Sequence, residues 1–392
     1  MIKDLDIIIY GASGFTGKLC VEYLASLDTG IKWAVAGRNK SKLEQVLSAI
    51  SLEADVFIAD SDDELALDKI TSRTKVILST AGPFHRYGSK LVASCVKNNT
   101  HYVDITGENF WVRGLIDKHH NEASSKGIRI IPSCGYDSVP SDIGAYYCVR
   151  SLKKPIKRIE SFHSFKGGAS GGTLETMFAL VDLNLGKKMF TSFLLNPEGT
   201  FTEEQKKYSR SEQRVEKKKD LNGWSAPFIM AAANTRVVRR SAGIMQLKGM
   251  PYGSNFIYRE FAFHKSKLSA YLSLILLGIF KFLLTSPLRK IMRSMMKKPG
   301  QGPSKELREN GWFDCRFVAE TEDGEVAYFR VKGEGDPGYK VTSLFVVESA
   351  LCLIKDQDSL PGGPRYGGVL TSAAGLGDAL LERLKKTGIS FS

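Results

Sequence analysis

Short runs of β-branched and other apolar residues alternate with helical patterns over the first 150 residues of the chain. Strands that alternate with helices in this way predict a parallel sheet covered by helices. The runs interpreted as strands are Leu5–Tyr10, Trp33–Ala36, Val56–Ala59, Val76–Ser79, Tyr102–Ile105 and Ile128–Ile131. We therefore predict a fold of the α/β class, with a Rossmann-type doubly wound parallel sheet at residues 1–150 that binds NAD(P).

A different pattern begins near Ser151 and predicts a second, α+β domain at residues 151–392. Its predicted elements are a strand at Arg158–Phe165, a glycine-rich loop at Gly167–Gly172, an apolar helix at Thr173–Leu185, a hairpin of Trp312–Ala319 and Glu325–Val331, and a final helix at Gly375–Lys386. The glycine-rich loop is interpreted as a lid or as a tight contact with a bound cofactor. We expect this domain to serve substrate binding and dimerisation, with a homodimer as the oligomer considered.

Length and composition agree with two globular domains. A chain of 392 residues exceeds one ordinary core, and its 43% apolar and 25% charged residues are typical of a globular protein. The six cysteines lie far apart, show no CxxC or CxxH spacing and follow no secretory signal, so we expect reduced thiols in a cytosol-facing protein. The six histidines show no metal-ligand spacing, so no metal is predicted.

Much of the net charge of +13 is concentrated in one segment. Between His264 and Lys298 there are eight basic residues and no acidic one, and Leu268–Leu288 within it is almost entirely apolar. We predict a membrane-associating insert at about 264–300, in which residues 268–298 lie on a membrane or lipid-droplet surface. A buried core helix is the alternative. The basic cluster at Lys206–Lys219 is interrupted by acids, so no nucleic acid is predicted as a partner.

A glycine-rich turn, GASGFTG, follows the first predicted strand and opens a helix. Its first glycine allows a tight turn, its second lets backbone amides reach a pyrophosphate, and its third permits close helix packing. The helix N terminus adds partial positive charge, so we predict dinucleotide binding, with a plain strand-to-helix turn as the alternative. The predicted cofactor contacts in this turn are Gly11, Ser13, Gly14, Phe15, Thr16 and Gly17.

The end of the second predicted strand indicates which dinucleotide is bound. An NAD site usually has an acid here for the ribose 2′-hydroxyl, but this chain has Arg38, followed by Lys40 and Lys42. A guanidinium and a neighbouring lysine suit a 2′-phosphate, so NADP(H) is predicted in preference to NAD, with a plain surface arginine as the alternative. Asp60, directly after the third predicted strand, is added to the expected cofactor contacts.

Ligands of doubly wound sheets lie beyond the carboxyl ends of the strands, where three segments carry candidate chemistry. One follows the fourth predicted strand with the expected cofactor contacts Thr80, Ala81, Gly82 and Pro83. The others are Thr106–Glu108 and Ser133–Asp142. The only Tyr-x-x-x-Lys, at Tyr328 and Lys332, lies in a predicted strand where these residues are roughly 13 Å apart, so it is not a short-chain dehydrogenase dyad.

The motifs GASGFTG, STAGPF, THYVDITGE and SCGYDSVPSD together resemble the saccharopine dehydrogenase-like oxidoreductases, and among them the trans-acting enoyl reductase branch. The resemblance extends through Ser170–Met177, Gly302–Phe313 and the C-terminal GDALLERLKKTGISF. It implies a dinucleotide-binding domain followed by an α+β domain whose sheet closes over the cofactor. It also implies NADPH-dependent reduction of a carbon–carbon double bond in lipid or polyketide precursors.

Together these features predict an NADPH-dependent reductase that acts on a lipidic enoyl or carbonyl substrate at a membrane or lipid-droplet surface. The Ala81–Pro83 loop is expected to hold the nicotinamide, and Tyr136 is the predicted proton donor, with Cys134 and His85 as alternatives. The alternative function, of a different class, is a non-catalytic NADP(H)-binding scaffold at lipid surfaces.

Overall fold

The computed structural model describes residues 3–168, 178, 181–183, 189, 191–209, 213–295 and 302–392. The motif at Ser170–Met177 and Lys297 and Lys298 of the insert lie outside these residues, as do most of the predicted glycine-rich loop and of the helix at Thr173–Leu185. The described residues form two seven-stranded sheets with helices packed against them.

The first sheet is parallel throughout and has the strand order β13-β6-β5-β4-β1-β2-β3. Its strands are β1 (Leu5–Tyr10), β2 (Trp33–Gly37), β3 (Asp55–Ile58), β4 (Thr74–Ser79), β5 (His101–Asp104), β6 (Arg129–Ile131) and β13 (Gly368–Val369). The apolar side chains of β1 and β4 are buried on both faces, as expected of a sheet between two helical layers. The predicted Rossmann-type α/β fold is confirmed, because the six predicted strands all occur in this sheet.

Seven helices of this region follow one another between the strands. They are α1 (Phe15–Ser26), α2 (Lys40–Ala49), α3 (Glu64–Arg73), α4 (Phe84–Tyr87), α5 (Ser89–Lys97), α6 (Asn109–Ser125) and α7 (Val139–Leu152). The strand order reverses at β1, so the carboxyl ends of β1 and β4 flank the crevice where such sheets bind dinucleotides.

The second sheet is mixed and has the order β14-β12-β11-β7-β10-β9-β8. Its strands are β7 (Ile156–Lys166), β8 (Glu216–Lys218), β9 (Gly223–Pro227), β10 (Ile257–His264), β11 (Trp312–Thr321), β12 (Val326–Glu334) and β14 (Ser390–Phe391). The predicted hairpin is confirmed by β11 and β12, which pair antiparallel from Trp312 with Glu334 to Glu320 with Val326. Tyr328 and Lys332 both lie in β12, as predicted.

The remaining α-helices with described bounds all follow β7 in the chain. They are α8 (Glu203–Tyr208), α9 (Ala231–Leu247), α10 (Lys267–Thr285), α11 (Arg289–Met295), α12 (Lys305–Glu309), α13 (Thr342–Lys355), α14 (Ser372–Gly375) and α15 (Gly377–Lys386). Helix α13 packs against α1 and β4, and β13 pairs with β6 through Gly368 and Arg129. The predicted boundary at residue 150 assigns this segment to the second domain, whereas it completes the first sheet.

Among the described residues, two helical segments are long and apolar enough to cross a membrane by length and composition. Pro337–Lys355, which contains α13, has a mean hydropathy of 1.3 and is 78% buried, so it belongs to the core. Lys267–Thr285, which is α10, has a mean hydropathy of 2.0 and is only 6% buried. The alternative interpretation of residues 268–288 as a buried core helix is therefore wrong.

Candidate functional site

The glycine-rich turn has the geometry that its sequence predicts. Gly11 has a φ of +83°, a left-handed conformation that side chains disfavour, and its amide donates to the Ala36 carbonyl at 2.9 Å. The Gly14 amide donates to the Gly11 carbonyl at 2.9 Å. A Cβ atom on Gly17 would lie 2.3 Å from the Gly11 carbonyl oxygen, so only glycine allows α1 to pack this closely on the turn.

The N terminus of α1 faces the crevice without a capping side chain. Gly14 is its N-cap residue and supplies no side-chain hydrogen bond. The amides of the first turn are therefore suited to a phosphate, which the helix dipole also attracts. A Cβ on Gly14 would meet only the Gly11 carbonyl, at 3.2 Å, so the other side of this glycine is open to a ligand. This cradle fits the pyrophosphate of a dinucleotide.

The predicted adenosine-side residues lie at the ends of β2 and β3. Arg38 is exposed, and the Lys42 amide donates to the Asn39 side chain, which caps α2. Burial and the nearby Asp60 carboxylate raise the pKa of Tyr10 to about 12, while Arg38 acts in the opposite direction. Arg38 and Asp60 therefore lie near the same tyrosine. This position beside the crevice is suited to a 2′-phosphate contact by Arg38.

The loop after β4 is fastened to the glycine-rich turn. The Thr80 amide donates to the Tyr10 carbonyl at 2.9 Å, and its hydroxyl donates to the Gly11 carbonyl at 3.2 Å. The next residues, Ala81 to Pro83, contain a cis peptide bond between Gly82 and Pro83. Thr80 therefore positions the predicted nicotinamide loop through the turn that would hold the pyrophosphate.

A histidine–carboxylate pair lies immediately after this loop. His85 Nδ1 is 2.6 Å from Glu108 Oε2, and the amides of Phe84 and His85 donate to the two carboxylate oxygens at 2.8 Å each. Glu108 is 1% exposed. His85 Nε2 is buried and has no hydrogen-bond partner among the described residues. Because buried polar atoms in proteins are nearly always paired, this nitrogen is a candidate for ligand contact.

Asp104, at the end of β5, organises the segment that carries Glu108. Its Oδ1 accepts hydrogen bonds from the Thr106 amide at 2.9 Å and the Ser133 amide at 3.0 Å. The Ser133 hydroxyl in turn donates to the Thr106 carbonyl at 2.7 Å. Complete burial raises the pKa of Asp104 to about 7, and its hydrogen bonds only partly offset that effect. Asp104 therefore couples the Thr106–Glu108 segment to the loop after β6.

The other two predicted proton donors lie inside the core. The Tyr136 ring packs edge-to-face against Phe313 and Phe165, with centroid distances of 5.2 and 6.3 Å. Its hydroxyl is buried, and burial followed by the nearby Cys315 thiol raises its pKa well above 10. The Cys134 thiol donates to the Ile131 carbonyl at 3.3 Å, and burial raises its pKa as well. The geometry therefore favours His85 over the predicted first choice, Tyr136.

A cavity of about 940 Å³ lies between α10 and the second sheet. Helix α10 contributes Leu276, Leu277 and Phe280 to its lining, and the facing strands contribute aromatic and basic side chains. Phe15 of the glycine-rich turn packs edge-to-face against Tyr339, with ring centroids 4.7 Å apart, and the Arg308 guanidinium lies 5.4 Å from the centroid of the Phe15 ring. Trp312 of β11 also lines the cavity.

Several predicted residues converge and others do not. The turn at Gly11–Gly17, the Thr80–Pro83 loop and His85 meet at one edge of the first sheet, while Tyr136 and Cys134 are packed beneath it. Glu108 was predicted only as part of the Thr106–Glu108 segment beyond a strand end, without His85 as its partner. Asp104 was not among the predicted site residues, although its position at the end of a buried strand is a usable signal.

Comparisons with known proteins agree with this geometry. Residues 7–131 match the family described as saccharopine dehydrogenase NADP binding domain. Trans-acting enoyl reductases of Mycobacterium ulcerans and Mycobacterium tuberculosis are each 32% identical to this chain, covering 100% and 99% of it and 98% and 97% of their own lengths. A further Mycobacterium tuberculosis protein, provisionally named a trans-acting enoyl reductase, is 34% identical over 99% of this chain and 97% of its own.

The fold is also that of a solved structure. Apo saccharopine dehydrogenase (L-Glu forming) from Saccharomyces cerevisiae superposes with a TM-score of 0.57 over 99% of both chains, at 13% identity. At this level of identity the likeness concerns the arrangement of the two sheets and not the substrate.

Proposed function

Because this chain belongs to the trans-acting enoyl reductase branch of the saccharopine dehydrogenase-like oxidoreductases, we propose that it reduces the carbon–carbon double bond of a lipidic substrate with NADPH. That it is an NADP-binding oxidoreductase follows from the family. The double bond and the lipidic substrate are our proposal, and reduction of a carbonyl group is the variant with the same hydride chemistry.

In this proposal His85 and Glu108 supply the protein's part of the chemistry. When bound, NADPH provides the hydride that adds to one carbon of the double bond. The neighbouring carbon then needs a proton, for which His85 Nε2 is the proposed donor. Glu108 accepts the hydrogen bond from Nδ1 and so fixes the ring with Nε2 directed away from the carboxylate. The amides of Phe84 and His85 hold Glu108 in this position.

The single observation that supports turnover is this oriented pair next to the nicotinamide loop. The test is oxidation of NADPH by the purified protein with a panel of trans-2-enoyl thioesters of C8 to C16 chain length, with the saturated product identified by mass spectrometry. Product formation supports the reductase. NADPH binding without product across the panel and across aldehyde and ketone analogues favours instead the non-catalytic scaffold at lipid surfaces.

Replacement of Arg38 by alanine is expected to weaken NADPH binding about 10- to 100-fold and to leave NADH binding unchanged. The reason is the loss of a charge-assisted contact to the 2′-phosphate, worth about 1.5–3 kcal/mol, which NADH does not have. Fluorescence titration with both dinucleotides measures the effect. Arg150→Ala, in the last turn of α7 and paired with Asp378, is the matched control. Equal wild-type affinity for NADH and NADPH would contradict the role of Arg38.

We also propose that α10 rests on a membrane or lipid-droplet surface. Seven apolar side chains form an exposed face on this helix, and their exposed fractions are all 44% or more. They are Leu268, Tyr271, Leu272, Ile275, Leu276, Ile279 and Phe282. Basic residues at both ends, such as Lys265, Lys267, Arg289 and Lys290, add attraction to anionic lipid. An apolar face with cationic flanks is typical of a helix lying in the interface.

A double substitution, Leu272→Glu with Ile279→Glu, is expected to reduce flotation with phosphatidylcholine–phosphatidylserine liposomes at least tenfold. Both side chains are about half exposed on the proposed contact face, and each loses roughly 1.5–3 kcal/mol of burial in lipid. The control is Leu65→Glu, on α3, a leucine that is 83% exposed but does not belong to the proposed contact face. Flotation of the double variant equal to wild type would contradict the surface contact. Liposomes and triacylglycerol droplets compared side by side distinguish the two surfaces.

A further inference from the structure

The cavity beneath α10 has two chemically different walls. The helix presents the apolar side chains of Leu276, Leu277 and Phe280 to it, together with the serines Ser269 and Ser273. The opposite wall is a face of the second sheet, which presents Phe263 together with a group of charged side chains. These charged side chains are Asp314, Arg316, Arg330, Lys332 and Glu334.

The charged wall carries an excess of cations. Arg330 places Nε 2.7 Å from Asp314 Oδ1 and Nη2 2.8 Å from Oδ2, and Arg316 Nη2 is 3.1 Å from the same Oδ2. One carboxylate is therefore shared by two guanidinium groups. Lys332 lies on the same strand as Arg330, two residues farther along, and makes no ion pair with any described residue. With Glu334 included, three cations face two carboxylates, so one positive charge remains in excess at this wall.

The arginines are held in place independently of any ligand. The Arg316 guanidinium lies 4.2 Å from the centroid of the Phe263 ring, and Arg330 is anchored by its two bonds to Asp314. Asp314 is itself buried. A guanidinium that is already oriented loses little conformational entropy when it binds an anionic group. The wall is therefore pre-organised for a carboxylate or a phosphate.

We propose that this cavity binds an anionic amphiphile, with its acyl chain along Leu277 and Phe280 and its carboxylate or phosphate head at Arg330 and Lys332. This proposal deepens the proposed function and rests on it for one point, which is that such a molecule is the substrate. A volume of about 940 Å³ lies at the upper end of the range for small-molecule sites, as a long chain requires. A neutral lipid leaves the excess charge unpaired, and a cationic one is repelled by it.

Competition binding without NADPH tests this directly. Full-length protein is loaded with 11-dansylaminoundecanoate, and the probe is displaced by laurate, dodecyl phosphate or dodecanol below their micellar concentrations. Laurate or dodecyl phosphate is expected to compete at least tenfold more strongly than dodecanol, and the two anions distinguish a carboxylate head from a phosphate head. Equal competition by dodecanol, or no probe binding, overturns the proposal. Acetate and inorganic phosphate, which lack the chain, are expected not to compete.

Substitutions locate the head group. Arg330→Gln is expected to weaken the preferred anion about tenfold or more while dodecanol changes less than twofold, and Arg330→Lys is expected to restore part of the loss. The matched control is Arg158→Gln on β7, whose partner is Glu320 and which lies outside the cavity lining. Unchanged anion binding in Arg330→Gln and in Lys332→Gln overturns the assigned position. Because NADPH is absent, these results are independent of turnover, so loss of reductase activity and loss of this site are separable outcomes.

Discussion

Replacement of His85 by glutamine is expected to lower kcat for NADPH-dependent reduction by about 10²- to 10⁴-fold, the range usual for removal of a general acid. Glutamine keeps a side-chain group that reaches Glu108 but has no proton to give at neutral pH. NADPH affinity is expected to stay within about twofold, because the cradle at Gly11–Gly17 is not altered. Stopped-flow measurement of NADPH oxidation with the best enoyl thioester, together with NADPH titration, separates the two effects.

The matched comparison is Tyr136→Phe. It removes only a hydroxyl that is buried and has no hydrogen-bond partner among the described residues, so turnover is expected to remain within about threefold of wild type. A solvent isotope effect that disappears in His85→Gln and persists in Tyr136→Phe supports proton transfer by the histidine. Full turnover in His85→Gln together with its loss in Tyr136→Phe would return the donor role to the tyrosine.

The first sheet was predictable because its strands are buried on both faces and separated by helices. Leu5–Tyr10 has the bounds that the sequence predicts, and the other five predicted strands differ at either end by at most two residues. By contrast, Gly368–Val369 is too short to show a hydrophobic period, so its pairing with this sheet could not be predicted from the sequence. It is determined by tertiary pairing with β6, which single-sequence patterns do not report.

Of the candidate acid–base pair, only His85 was predicted as a proton donor from the sequence. His85 lies in α4 and Glu108, 23 residues later, directly precedes α6, and neither belongs to a recognised catalytic spacing. They meet because β4 and β5 are adjacent parallel strands whose carboxyl ends share one edge. Tyr136 looked suitable on chemistry and loop position alone. The packing that buries its hydroxyl against Phe313 and Phe165 comes from a distant part of the chain and from β7.

Hydropathy identified α10 but not its surroundings. Pro337–Lys355 and Lys267–Thr285 are both 19 residues long and both apolar, yet the first is 78% buried and the second 6%. What differs in sequence is the flanking charge, since α10 is followed by Arg289, Lys290 and Arg293. Apolar length therefore indicates that a helix avoids water, whereas only the packing shows whether protein or another phase covers it.

Replacement of Gly17 by alanine is expected to abolish measurable NADPH binding and to lower the free energy of unfolding by about 1–3 kcal/mol, the usual cost of overpacking. The added Cβ would lie 2.3 Å from the Gly11 carbonyl oxygen and 2.8 Å from the Ala12 Cα, both backbone atoms that move only with the whole turn. Displacing that turn also displaces the amides suited to the pyrophosphate. Thermal unfolding with and without NADPH measures both losses, because a ligand that binds the folded state raises its stability.

Two other glycine-to-alanine variants make this result specific. The Cβ added in Gly14→Ala would meet only the Gly11 carbonyl oxygen, at 3.2 Å, so this variant is expected to lose little stability. It is expected to weaken NADPH binding less than Gly17→Ala does, because the turn itself is not displaced. Gly114→Ala, in α6, meets no atom within 4 Å and is expected to raise stability by about 0.5–1 kcal/mol and leave the NADPH-induced shift unchanged. If Gly17→Ala kept the wild-type shift, the turn would not be the dinucleotide site, whatever its sequence resembles.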